Sequence, residues 1–253
     1  AGVVVALRPG AAVAVAVLAL PWLASPEIAR LVSRPRRRRR ERLGEDDRRR
    51  LRLYALRTWL FFERFVDSDD HWLPPDHYDE RPGGPSGSGR IARRTSPTNI
   101  GMFLIAAVAA RDLGHLGPLS LEALLRNTAE SMDALDRHRG HFFNWYGTRD
   151  LDVLEPRYVS TVDSGNLLAA LLVTAGALDA LGDEPAIGPA RAEGLRDTLR
   201  GLEDALEGLE GSAPWTDGLV ATQRRRLAEA DGSGASLAAE LARMEEEFLP
   251  ELT

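Results

Sequence analysis

Residues 164–181 read SGNLLAALLVTAGALDAL, eighteen positions with a single charge at Asp179, closed by Gly182. A helix that is apolar on every side must be covered by other elements, so this stretch predicts an inner helix. Residues 99–113 have the same character, an Ile-Gly-Met-Phe-Leu-Ile opening followed by an Ala run. Working outward, the neighbouring stretches are amphipathic. In 45–66, Leu51, Tyr54, Ala55, Thr58, Phe61, Phe62 and Phe65 recur at intervals of three and four. Leu119–Arg137 repeats the pattern, with Ser120 as its expected N-cap. Polar amphipathic helices follow at 188–210, 214–230 and 233–249. No stretch alternates in the manner of a strand. Apolar inner helices alternating with amphipathic outer ones predict an all-α fold, a helical toroid or a layered bundle.

Composition narrows the chemistry. The 253 residues suit one domain, or one domain and a smaller piece. At 44% hydrophobic and 28% charged the chain is globular in type. There is no Cys, which excludes a disulfide scaffold, a thiolate metal site and a cysteine nucleophile. All 32 basic residues are Arg, which excludes Schiff-base chemistry and a P-loop lysine. Residues 1–57 hold 14 Arg against 5 acidic residues, whereas the remainder is strongly acidic. An acidic body argues against nucleic acid as a partner, because phosphate neutralisation needs clustered positive charge.

The basic arm begins with an uncharged run of fifteen residues, GAAVAVAVLALPWLA at 10–24. Continued to Ser33, with Pro26, Glu27 and Arg30 toward the interface, it reaches the ~20 residues that cross a bilayer. An Arg cluster follows, Arg34, Arg36–Arg40 and Arg42. An apolar run before an Arg cluster is a stop-transfer pattern with the Arg side in the cytoplasm. We therefore expect a transmembrane segment at 1–33, an Arg-rich juxtamembrane linker at 34–50 that touches anionic lipid, and a helical domain at 51–253. A buried amphipathic helix and a solvated basic tail are the alternatives.

Four loops between the helices concentrate polar and aromatic residues. The first is Asp70-His71-Trp72-Leu73-Pro74-Pro75-Asp76-His77-Tyr78. Trp72 beside Pro-Pro offers a stiff face for a pyranose ring, and Asp76 can accept from sugar hydroxyls; equally, Trp72 can sit in the core. The second is Arg94-Thr95-Ser96-Pro97-Thr98-Asn99, where Ser96 or Thr98 can cap the next helix with Pro97 in its first turn. Capping leaves Arg94 and Asn99 unexplained. The third, Gly140 to Asp150, holds four aromatics together with Asn144, Trp145, Arg149 and Asp150. It is either a binding loop or a hydrophobic plug. The fourth, Tyr158 to Asn166, places Asp163 or Ser164 as cap of an apolar helix whose N-terminus is expected deep inside, where the dipole favours an anion or hydroxyl oxygen.

Other chemistries find no motif. The five His, at 71, 77, 115, 138 and 141, include no helical pair with metal-ligand spacing, so no metal is expected. There is no Gly-x-Ser-x-Gly elbow and no Gly-x-Gly-x-x-Gly after a strand, and no cofactor is expected.

Taken in order, WLPPD, RTSPTNIG, AARDLG and GHFFNWYGTRDLDVLEPRYVSTVDSGNL resemble the cyclic β-1,2-glucan synthases, bacterial membrane proteins that build β-1,2-glucan from UDP-glucose. The likeness runs from about Ala24 to Gly176 and takes in Arg57, Thr58, Trp59, Phe61, Phe62, Glu63 and Phe65. It implies a stretch running from the last membrane helix into a glycoamylase-like (α/α)6 module that trims and cyclises glucan by transglycosylation. It further implies that Trp72, Asp76, Arg94, Asn99, Asn144, Trp145, Arg149, Asp150, Asp163 and Asn166 bind substrate or shape its cleft. The partners implied are β-1,2-glucan, membrane lipid and the rest of a synthase chain, at the bacterial inner membrane with the helical domain in the cytoplasm. A twelve-helix toroid needs far more than the ~200 residues after the arm. The expectation is therefore half a toroid, an incomplete piece without its own catalytic carboxylates and with an apolar open face. The rival readings are a non-catalytic, membrane-anchored glucan-binding module and a helical repeat protein whose aromatic loops hold a protein partner.

Overall fold

The computed structural model describes residues 10, 12–33, 43–80, 89–181 and 188–207, with short helical pieces between 218 and 243. It divides into two compact units, Ala1–Gly44 and Glu45–Thr253.

The first unit contains helix α1 (Ala12–Val32), with Pro21 and Pro26 inside it and Arg30 in its last turn. Its apolar side chains Val13, Val17, Leu20, Trp22, Leu23, Leu31 and Val32 are exposed. The Arg cluster at 34–42 lies outside the described residues.

The second unit opens with α2 (Glu45–Phe65), whose first turn carries Glu45, Asp46 and Asp47 at the positive end of the helix dipole. Residues 45–50, grouped above with the linker, are thus the first turns of a helix. Asp67 accepts from the backbone N–H groups of Asp69 and Asp70 and so caps the 3-10 turn Ser68–Asp70. The strands that follow have two residues each: β1 (Tyr78–Asp79), β2 (Arg90–Ile91) and β3 (Arg94–Thr95). After α3 (Pro97–Asp112) and α4 (Pro118–Ala134) come β4 (Arg137–His138), β5 (His141–Phe142) and β6 (Tyr146–Gly147), then α5 (Thr161–Leu181) and α6 (Pro189–Glu207). The pairs β1–β2, β3–β6 and β4–β5 are antiparallel. These ladders are the departure from an all-helical expectation, and two residues are too few to alternate.

Helix α3 is the centre, packed on α2, α4 and α5. Its Ile100, Phe103, Leu104, Ala107 and Ala110 join Trp59, Leu73, Leu121, Tyr146 and Leu167 in one core. Each fully buried large side chain there contributes about 1.5–3 kcal/mol. Helices α3 and α5 lie close because position 101 is Gly: a Cβ there would stand 3.0 Å from the Ala170 Cβ and 3.3 Å from the Leu167 Cα. Gly114 turns the chain out of α3 with φ +83. The inner face of α6 is fastened by ions: Asp197, buried, accepts from Arg52 Nε at 2.7 Å and lies 3.2 Å from His115 Nε2.

Three expectations change. Helix α5 is apolar but not enclosed. Leu167, Ala170 and Thr174 are buried, while Leu168, Leu171, Leu172 and Val173 are exposed. Its N-terminus is likewise not deep, since Thr161 and Val162 are exposed, and its cap is Ser160, whose Oγ accepts from Asp163 N–H at 3.2 Å. The cap of α4 is Gly117 with Pro118 in its first turn, rather than Ser120. Ser96 does cap α3, accepting from Asn99 N–H with Pro97 next in line. Among the described residues, Thr161–Leu181 in the body is long and apolar enough, by length and composition, to cross a membrane. The expected helices at 214–230 and 233–249 lie largely outside the described residues.

Candidate functional site

The β3–β6 ladder joins two of the four loops. Arg94 stands opposite Gly147 and Thr95 opposite Tyr146, and Thr148 N–H donates to Arg93 C=O at 3.2 Å. Tyr146 anchors the ladder from below. Its ring is fully buried, and its hydroxyl donates to Asp136 C=O at 2.7 Å and accepts from Phe143 N–H at 2.6 Å. Burial pushes this phenol above its ordinary value of 10.0. The ladder places Trp145 beside Arg94, whose guanidinium lies 4.6 Å from the centre of the indole ring.

Arg94 also reaches Asp76. Its Nε and Nη2 donate to Asp76 Oδ2 at 3.0 and 2.8 Å, Asn99 Nδ2 donates to Oδ1 at 3.3 Å, and His77 Nδ1 lies 3.1 Å from Oδ2. Burial pushes the Asp76 carboxyl up. The hydrogen bonds from Arg94, Asn99 and His77, with the Arg94 charge, outweigh it and hold Asp76 below its ordinary value of 3.8. Asp76 is therefore ionised at neutral pH, an acceptor for hydroxyl groups and not a proton donor.

A second cluster gathers on Asn144, which is 5% exposed. In the amide orientation that satisfies its neighbours, Nδ2 donates to Asp163 Oδ2 at 3.0 Å, and Oδ1 accepts from the Tyr158 hydroxyl at 2.8 Å and from Trp145 Nε1 at 2.7 Å. Asn144 N–H donates to Tyr158 C=O at 2.9 Å. Beside this, Asn166 Nδ2 donates to Thr98 Oγ1 at 3.0 Å, tying the first turns of α5 and α3 together.

Six of the ten expected residues thus fall into linked clusters, Asp76, Arg94, Asn99, Asn144, Trp145 and Asp163, and a seventh, Asn166, bonds Thr98. The other three stand apart. Trp72 follows His71 with φ 55 after φ 51, and this left-handed pair turns it onto the core, where it lines a cavity of about 360 Å³ with Phe62, Phe103 and Leu124. Asp150 Oδ1 accepts from Asp152 N–H and shapes its own turn. Arg149 is exposed, 3.8 Å from Asp70. Asp70, which no role was expected for, is a buried brace that pairs with Arg93 and accepts from Thr148 Oγ1 at 2.7 Å. Tyr158 was likewise without an expected role, and its only sequence signal was proximity to Asp163.

A larger cavity, about 640 Å³, lies between α2 and α6 against Trp59, Glu63, His115 and Arg191. The loop clusters lie outside both cavities. Among the described residues no group of three or more His, Asp or Glu is placed to hold a metal ion.

No family model matches the sequence. Over 185 residues, 67% of the chain, it is 39% identical to the cyclic β-(1,2)-glucan synthase NdvB of Rhizobium meliloti strain 1021. The chain is homologous to a segment of a cyclic β-1,2-glucan synthase. It spans 6% of the length of that synthase. Among solved structures, two proteins assigned as glucoamylases overlap the fold. One is from Bacteroides fragilis NCTC 9343 (TM-score 0.42, 16% identity, 58% of this chain and 37% of that one). The other is from Bacteroides caccae ATCC 43185 (TM-score 0.41, 19% identity, 49% and 30%). Overlaps at that level carry no weight in assigning architecture or activity.

Proposed function

We propose that this segment binds β-1,2-glucan as part of a membrane-bound cyclic β-1,2-glucan synthase, which is a glycosyltransferase using UDP-glucose. Its role is to contribute the glucan-binding half of a transglycosylation and cyclisation module with (α/α)6 architecture. The observation that carries this reading is the Asp76–Arg94–Trp145 arrangement: an ionised acceptor locked beside a partly exposed indole that a guanidinium braces on one face. On this reading a pyranose ring stacks on the indole through its axial C–H groups, and its hydroxyls meet Asp76 and Asn99. Asp163 and Asn166, at the start of α5, border the same loops. The homology to a glucan synthase supports sugar as the ligand.

The same group supports binding rather than bond cleavage. Asp76 is held ionised by three neighbours, so it is not poised as a general acid, and Asp163 accepts from Asn144 Nδ2. On this reading the chain alone binds glucan without turning it over. That observation also favours a second reading, a membrane-anchored glucan-binding module without catalysis. The readings separate in the intact synthase: loss of cyclisation in a Trp145→Ala synthase, with chain elongation retained, supports the first.

For the membrane, α1 has 21 residues, about 31 Å of helix, and exposes its apolar side chains. Pro21 and Pro26 are tolerated in membrane helices. By the positive-inside rule, the Arg cluster after it supports a body on the cytoplasmic side of a bacterial inner membrane.

The test is calorimetric titration of the chain with linear β-1,2-gluco-oligosaccharides. Binding is expected, weakened ~10-fold in Trp145→Ala, the scale of one aromatic stacking contact. No heat with the oligosaccharides overturns the reading and favours a protein-binding helical module.

A further inference from the structure

Asn144 cannot itself meet a sugar. It is buried, both lone pairs of its Oδ1 are taken by Tyr158 and Trp145, and its Nδ2 is committed to Asp163. Its backbone N–H holds the Tyr158 carbonyl at 2.9 Å as well. A hydroxyl and an indole N–H thus converge on one amide oxygen, from two rings that are themselves partly exposed. We propose that Asn144 is a positioning residue that sets Trp145 and Tyr158 as a two-ring sugar platform, with Tyr158 a contact residue in its own right. This rests on the glucan-binding reading above.

The residue type follows from the valences. The position must accept twice and donate once toward a carboxylate. Leu fills the space and does neither, leaving the indole N–H, the phenol and Asp163 without partners. Asp can accept twice, but its charge would face Asp163 at the 3.0 Å now spanned by a hydrogen bond. Two carboxylates that close share a proton, and the pair is repaired when one of them protonates. The charged and titratable groups around the position are Asp163 from α5, Tyr158 from the preceding loop and Arg94 across the indole.

The experiment uses the full chain carrying 5-fluorotryptophan, the Trp145 resonance being assigned by its loss in Trp145→Phe. Asn144→Leu is expected to move that ¹⁹F resonance while the resonances of Trp59 and Trp72 stay in place, and to weaken linear β-1,2-gluco-oligosaccharide binding ~10-fold. Tyr158→Phe keeps the ring and loses one bond to the amide, so its affinity falls less than that of Tyr158→Ala. Asn144→Asp is expected to bind as weakly as Asn144→Leu at about pH 7.5 and to regain affinity at about pH 5, where the unaltered chain changes little. An unmoved Trp145 resonance, or an Asn144→Asp variant whose affinity does not respond to acid, overturns the positioning role. If the unaltered chain binds no oligosaccharide, the glucan-binding reading and the sugar platform both fail, and the Asn144 hold on Trp145 is then judged by the resonance alone.

Discussion

Asp76 is where a single side chain has a measurable signature. Its pKa is depressed in the folded chain, so the stability it contributes is complete above the ordinary value of 3.8 and lost as pH falls through the lower folded value. Thermal denaturation followed downward from neutral pH should show this loss below about pH 4, and Asp76→Asn should flatten it. The variant should be less stable at neutral pH by about 1 kcal/mol, the worth of a mostly covered carboxylate paired with a half-exposed Arg94. An unchanged acid limb would mean that Arg94 and Asn99 do not hold the carboxylate. The sequence made Arg94 and Asn99 conspicuous, because capping left them unexplained, and Asp76 as an acceptor beside Trp72. It did not show that they meet, since positions 76 and 94 are joined by a ladder and not by any local period. Trp72 was ambiguous for a related reason. A Trp before Pro-Pro is stiff wherever it points, and its direction is decided by two left-handed residues that composition does not announce.

Among the elements, the helices were legible because their period extends over many residues, and α2 to α6 lie close to where the spacing puts them. Their starts were less so. Ser96 caps α3 as its position before Pro suggests, whereas Ser120 and Asp163 lie inside helices that begin earlier. A cap depends on where the incoming chain leaves its loop, and loop geometry is a tertiary property. Ser96→Ala should cost about 1 kcal/mol by chemical denaturation, the usual worth of a lost N-cap. The contact between α3 and α5 is more demanding. Gly101→Val places new atoms against Ala170 and Leu167, and either helix must shift. A loss of about 1–3 kcal/mol is expected, together with weaker oligosaccharide binding, because Asn166 and Thr98 are carried on the two helices. Full affinity in Gly101→Val would show that the two helix starts do not set the site.

For the whole molecule, the exposed apolar row on α5 predicts behaviour in solution. Leu168, Leu172 and Val173 are each more than half exposed, a patch that soluble proteins seldom leave bare. Sedimentation of the chain in mild detergent should show concentration-dependent association, relieved by Leu168→Glu with Leu172→Glu. The sequence expected this helix to be enclosed, since hydropathy reports what a helix is made of and not what stands beside it. The absence of Cys makes the membrane reading testable as well, because single labels can be placed without background. In cells, Gly10→Cys should react with an impermeant maleimide from the periplasm and Ser33→Cys only after lysis. The reverse pattern would place the body outside the cytoplasm.

The ladder between residues 94–95 and 146–147 has a further consequence, in time. Asp76 is made early, yet its site is completed by groups as late as Asn166, with α3 and α4 in between. At ~5–20 residues per second the ribosome needs roughly 5–20 s to pass from the first of these groups to the last. For that interval the nascent chain has α3 and α4 but not all of α5, and on the glucan-binding reading no oligosaccharide can engage it. Recognition, on that reading, is acquired after α3 and α4 are made and before α6, whose Asp197 pairs with Arg52.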